Sequence, residues 1–119
     1  MSEYIFLFRS SPAEAREVFS TPERAQKAVE TWMAWVTRLE QGGHLAAQGL
    51  PLAHDGAVVK RDKVTDGPFV EGKDIVLGYM VVRARDIAEA NELAAQCPTV
   101  IGGGGSVEVR PVASFMERK

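Results

Sequence analysis

Apolar residues recur along this chain with two periods. Tyr4-Ile5-Phe6-Leu7-Phe8 is apolar on both alternating faces, which predicts a strand buried on two sides. Ile75 to Ala84 predicts the clearest strand, with Ile75, Leu77, Tyr79 and Val81 on one face and Val76, Met80 and Val82 on the other. Between them Ala25, Ala28, Val29, Trp32, Val36 and Leu39 fall on one face at helical spacing, with Met33 and Trp35 beside it. Two start signals precede this helix. Ser20 and Glu23 have capping-box spacing, and Thr21-Pro22 offers a cap with proline at the first helical position. Gly42-Gly43 ends it, giving a helix about 30 Å long. A second helix starts at Asp86, with Glu89 three residues on, and carries Ile87, Ala90, Leu93, Ala94 and Cys97 on its apolar face before Pro98 stops it.

The shorter segments complete the order. Pro12 to Arg16 fits a loop or one short helical turn, and His44 to Leu50 fits a short strand. Ala57 to Arg61 is another strand, followed by Val64-Thr65 and the turn signal Asp66-Gly67-Pro68. Gly102 to Gly105 reads as a linker, and Val107 to Val112 as a final strand, polar on its Glu108/Arg110 side. Strand, helix, two or three strands, helix, strand is the order of a ferredoxin-like α+β sandwich, with two helices on one face of an antiparallel sheet. No repeat or second domain interrupts residues 1–119. The strands are apolar on both faces, but helices cover only one. A second copy stacked sheet to sheet would cover the other, so a homodimer is expected.

Composition narrows the class. A mass of 13.0 kDa corresponds to roughly 6,300 Å² of folded surface against roughly 19,000 Å² unfolded, enough burial for a core without disulfides. Apolar residues at 45% and charged residues at 25% exclude a disordered chain or a disulfide scaffold. A net charge of -2 argues against a nucleic-acid partner. Cys97 has no cysteine to pair with, which suits a reducing cytoplasm, and the five-residue apolar run near the N-terminus is too short for a secretion signal. No stretch approaches the ~20 apolar residues that span a bilayer, so a cytoplasmic chain without membrane contact is expected.

Val64-Thr65-Asp66-Gly67-Pro68-Phe69-Val70-Glu71-Gly72-Lys73-Asp74, followed by Gly78-Tyr79, resembles the signature of the YCII-related, or DGPF-motif, family. Trp32-Met33-Ala34-Trp35, Cys97-Pro98 and Val107 to Val112 extend the resemblance in order over nearly the whole chain. The resemblance implies a bacterial, cytoplasmic, dimeric α+β barrel of ferredoxin-like subunits. It says little about chemistry: a few relatives are linked to lyase-type or dehalogenating steps on small ring compounds, and genes of this subgroup often lie near those for alternative sigma factors. Some relatives carry a His–Asp pair on the first helix. Here the histidine position is Trp32 and the aspartate position falls near Gln41.

Several side chains are candidates for chemistry. Asp66 is a potential acid or base on a loop held by a sheet, although Asp-Gly-Pro is also ordinary turn chemistry. Glu71, Lys73 and Asp74 fit the rim of a polar site, or a solvated surface. His44 is a general base near neutral pH, or a cation that stabilises the C-terminus of the first helix. Trp32 and Phe69 are candidates to hold the apolar part of a ligand, with core packing as the alternative for the tryptophan. His44 and His54 lack i, i+4 spacing, so no metal site or other cofactor is expected. Cys97, at a helix C-terminus, is not expected to act as a nucleophile. The glycine run precedes a strand and offers no helix N-terminus to a phosphate. Lys60-Arg61-Asp62-Lys63 reads as a solvated edge. Two functions follow: a dimeric binder of a small ring or acid ligand with a lyase- or isomerase-type activity, or a non-catalytic sensor that partners a sigma factor.

Overall fold

The computed structural model describes residues 1–70 and 73–113. Its elements run β1 (Ser2–Ser10), α1 (Pro12–Val18), α2 (Pro22–Gln41), β2 (Leu45–Ala47), β3 (Gly56–Lys60), β4 (Lys63–Gly67), β5 (Ile75–Ala84), α3 (Ile87–Ala95), α4 (Pro98–Ile101) and β6 (Gly105–Pro111). Four strands form one antiparallel sheet in the order β2-β5-β1-β6, and β3-β4 form a separate hairpin. With β1, α2, β2, β5, α3 and β6 as its frame, this is the ferredoxin-like α+β order; α1, the hairpin and α4 are additions.

Local chemistry accounts for the helix ends. The Thr21 hydroxyl accepts the Arg24 N–H and Pro22 takes the first helical position, so of the two start signals the Thr-Pro one is used. At the other end, Gly43 adopts φ 77°, its N–H reaches the Glu40 carbonyl, and the His44 N–H reaches that of Leu39. This double closure turns the chain directly from α2 into β2. Asp86 caps α3 by accepting the Glu89 N–H at 2.9 Å. Pro12 to Arg16 belongs to a true helix, capped by the Ser11 hydroxyl. Pro98 both ends the α3 segment and starts the short α4, so the glycine run is partly a helix exit and partly the first residue of β6.

Tyr4, Phe6 and Phe8 of β1, Met80, Val82 and Ala84 of β5, Trp35, Val36 and Leu39 of α2, and Ala90, Ala94 and Cys97 beside them form the buried core. Val29 and Met33, expected on or beside the core stripe of α2, are exposed, because that stripe narrows to Ala25, Ala28, Trp32, Trp35, Val36 and Leu39. In β5 the expected faces hold only for its C-terminal part. Phe8 pairs with Gly78 but Arg9 pairs with Val76, so the ladder skips Leu77. This bulge shifts the alternation by one residue and buries Ile75 on the helix side.

Among the described residues, the opposite sheet face has no helix on it. Cross-strand partners share a face, so Ile5 lies beside Val81 and Arg110, Leu7 beside Tyr79 and Glu108, and Arg9 beside Val76 and Ser106. Ile5, Leu7, Tyr79 and Val81 are each half-buried. The β3-β4 hairpin makes no extensive contact with another element among the described residues. Its paired Val59 and Val64 stay 72% and 66% exposed. The surface of 8258 Å² exceeds the ~6,300 Å² of a compact chain of this mass. The single chain thus keeps more surface in water than its size requires, exposed valines of the hairpin included.

Candidate functional site

The Asp-Gly-Pro-Phe segment belongs to the hairpin rather than to a turn between strands. Asp66 pairs with Ala57 and Gly67 with Gly56, so β4 continues through the expected turn; the reversal instead comes at Arg61-Asp62. The Lys60 to Lys63 charges therefore form the solvated tip of the hairpin. Gly67-Pro68 is a cis peptide bond that leads the chain out of β4. Asp66, Phe69 and Lys73 are all exposed along this strand end and loop, and Phe69 shows 71% of its surface. Glu71 lies outside the described residues.

His44 stands at the α2–β2 corner and is half-buried. Its Nδ1 lies 2.9 Å from the Arg83 carbonyl oxygen. A carbonyl only accepts, so Nδ1 is the donor here, and in the neutral imidazole the lone pair then lies on Nε2. The Arg83 N–H donates to the His44 carbonyl and the Arg83 guanidinium to that of Leu45, which fixes this corner on β5.

These candidates do not meet within one chain. His44 is tied to Arg83 at one end of β5, while the Asp66 loop re-enters the sheet at Ile75. From Ile75 to Arg83 the strand rises about 27 Å. Trp32 is on the helix side of the sheet, half-buried, edge-on to Phe8 at 4.8 Å and to Trp35 at 5.2 Å. Trp35 takes the core and Trp32 its rim, a division that their three-residue spacing on a helix imposes.

A recess of about 300 Å³ opens elsewhere, between α3, α4 and β6, lined by residues such as Asn91, Ala94, Val100, Val107 and Val109. Its walls contain no titratable group, so it offers packing but no proton transfer. Cys97 is fully buried, and that burial pushes its thiol pKa up despite hydrogen bonds involving Thr99. It stays a protonated core side chain near neutral pH. Among the described residues no three His, Cys, Asp or Glu side chains gather as metal ligands, and no helix is long and apolar enough to cross a membrane.

A family model, that of the YCII-related domain, matches residues 3–116. The chain belongs to the YCII-related family. No curated protein matches it. As a YCII-related domain, it keeps the ferredoxin-like frame and sets its Asp-Gly-Pro-Phe segment at the end of a hairpin separate from the four-stranded sheet. The sequence reading missed one polar residue, Arg9. It lies on the helix-free face and shows only 15% of its side chain to solvent. Its place inside an apolar strand pattern was the available signal, since an arginine in such a run must either pair or serve a ligand.

Proposed function

We propose that this YCII-related chain works as a homodimer that binds a small organic ring compound or acid and carries out a lyase- or isomerase-type step on it. One observation carries the reading: the helix-free sheet face and the Val59/Val64 hairpin leave apolar surface that a second copy would cover. A two-fold axis lying between the stacked sheets and perpendicular to β1 and β5 reverses strand direction. It sets the hairpin end of one copy over the His44 end of the other. Asp66 and the free Nε2 of His44 then share a site between copies and handle protons. Phe69 holds the apolar part of the ligand, with Lys73 at the rim. Trp32, expected beside Phe69 in this role, packs on Phe8 on the helix side of the sheet and is left out of the site.

The test is a thermal-shift screen of small acids, phenolics and lactones, with sedimentation to establish the dimer. A ligand at 100 times its dissociation constant adds about 2.7 kcal/mol and raises the melting point by roughly several degrees in a domain of this size. The expected result is a shift from one chemical class, with turnover of that class abolished in Asp66→Asn while the dimer stays intact. Full turnover in Asp66→Asn removes its assigned role. A dimer that responds to no compound moves the reading to a non-catalytic sensor with a protein partner, such as a sigma factor.

A further inference from the structure

From the helix-free sheet face we infer that Arg9 is a carboxylate-recognition residue and that the ligand is a small organic acid with an apolar or aromatic body; this rests on the small-molecule reading above. Arg9 Nη2 is buried and has no hydrogen-bond partner among the described residues. The nearest carboxylate oxygen with which the guanidinium pairs, Oε1 of Glu108, is 3.8 Å from Nη1, beyond hydrogen-bonding distance. The other oxygen of Glu108 is taken by Arg110 at 3.3 Å. A buried guanidinium nitrogen without an acceptor destabilises the fold that contains it. Turning the end of the side chain toward the open face replaces that orphaned donor with a charge-assisted, two-pronged pair to a carboxylate.

The neighbouring residues fit such a ligand. Ser106, the cross-strand partner of Arg9, is exposed on the same face and brings a hydroxyl. Val76 lies on the other side of Arg9, and Leu7 and Tyr79 fill the next row, an apolar and aromatic platform for the body of the acid. The negative charge of Glu108 is engaged by Arg110 at 3.3 Å, which reduces its repulsion of an incoming anion.

Matched acid and amide probes test this: benzoate against benzamide, and phenylacetate against phenylacetamide, titrated by calorimetry into the intact protein. The acids are expected to bind roughly tenfold to a hundredfold more tightly than the amides. Arg9→Met is expected to abolish that preference while melting, without ligand, no lower than the wild type. A merely structural arginine would instead lower the melting point and leave no acid preference to lose. Arg9→Gln serves the same comparison if the methionine variant folds poorly. Equal binding of acids and amides, or a preference that survives both substitutions, overturns the role of Arg9 and leaves the small-molecule reading standing. Binding of neither acids nor amides, with no response in the wider screen, overturns both.

Discussion

Trp35→Ala is expected to destabilise the protein by about 4 kcal/mol, within the range for truncating a buried aromatic. Trp35 is 1% exposed and lies at the meeting point of the first strand and two helices. Its ring stacks on Phe6 at 6.3 Å and meets Phe8 edge-on at 5.9 Å. Its indole N–H donates to the Leu93 carbonyl at 3.2 Å, tying α2 to the last turns of α3. Truncation therefore empties a large volume, removes three aromatic contacts, that with Trp32 included, and costs α3 a partner for a part-buried carbonyl. Against a total stability of about 5–15 kcal/mol, such a loss leaves a marginal fold. The melting point should fall by roughly 10–20 °C. Trp35→Phe keeps the ring contacts and loses the hydrogen bond, so its cost should be about 1–2 kcal/mol. A urea titration in which Trp35→Ala loses less than Trp35→Phe would contradict this packing.

Some of this arrangement was legible in the chain and some was not, for a physical reason. Elements fixed by their own residues were readable: β1 from an unbroken apolar run, α2 from a cap and a glycine exit, α3 from Asp86 and Glu89. Features that depend on a partner strand were not. The bulge at Leu77 appears only when β5 is set in register against β1, and it moves Ile75 to the opposite face from the one that alternation alone predicts. The Asp66-Gly67 turn fails as an expectation because cross-strand pairing with Ala57 and Gly56 carries β4 past it. The same limit applies to the site. Asp66 and His44 each suit proton transfer by residue type, but their separation along β5 is a property of the sheet. Only the assembled strands show that the two lie toward opposite ends of β5.

Gly49→Ala is expected to cost about 3 kcal/mol and to loosen the edge of the sheet that leads into the hairpin. Gly49 follows the end of β2 with φ 71°, a conformation that costs a residue with a Cβ about 1–2 kcal/mol. A Cβ there would also stand 1.8 Å from the Tyr79 carbonyl oxygen and 2.7 Å from its carbonyl carbon. Both atoms belong to β5, so the obstacle cannot be moved aside by a side-chain rotation. The 49–52 segment must instead lift away from β5. That movement threatens the Tyr79 N–H bond to the Leu50 carbonyl at 3.3 Å and the Leu52 N–H bond to the Leu77 carbonyl at 2.8 Å. Each lost bond adds about 1 kcal/mol. Gly43→Ala is the control that separates strain from collision. Gly43 has nearly the same backbone angle, φ 77°, but nothing lies within 4 Å of its added Cβ. Its cost should be the conformational part alone, about 1 kcal/mol. Hydrogen exchange should then show faster opening of the Tyr79 and Leu52 amides in Gly49→Ala and unchanged rates for both in Gly43→Ala. Equal destabilisation by the two substitutions would mean that the close approach of residues 49–52 to β5 does not hold in solution. The hairpin carrying Asp66 would then be anchored only through its exit into β5.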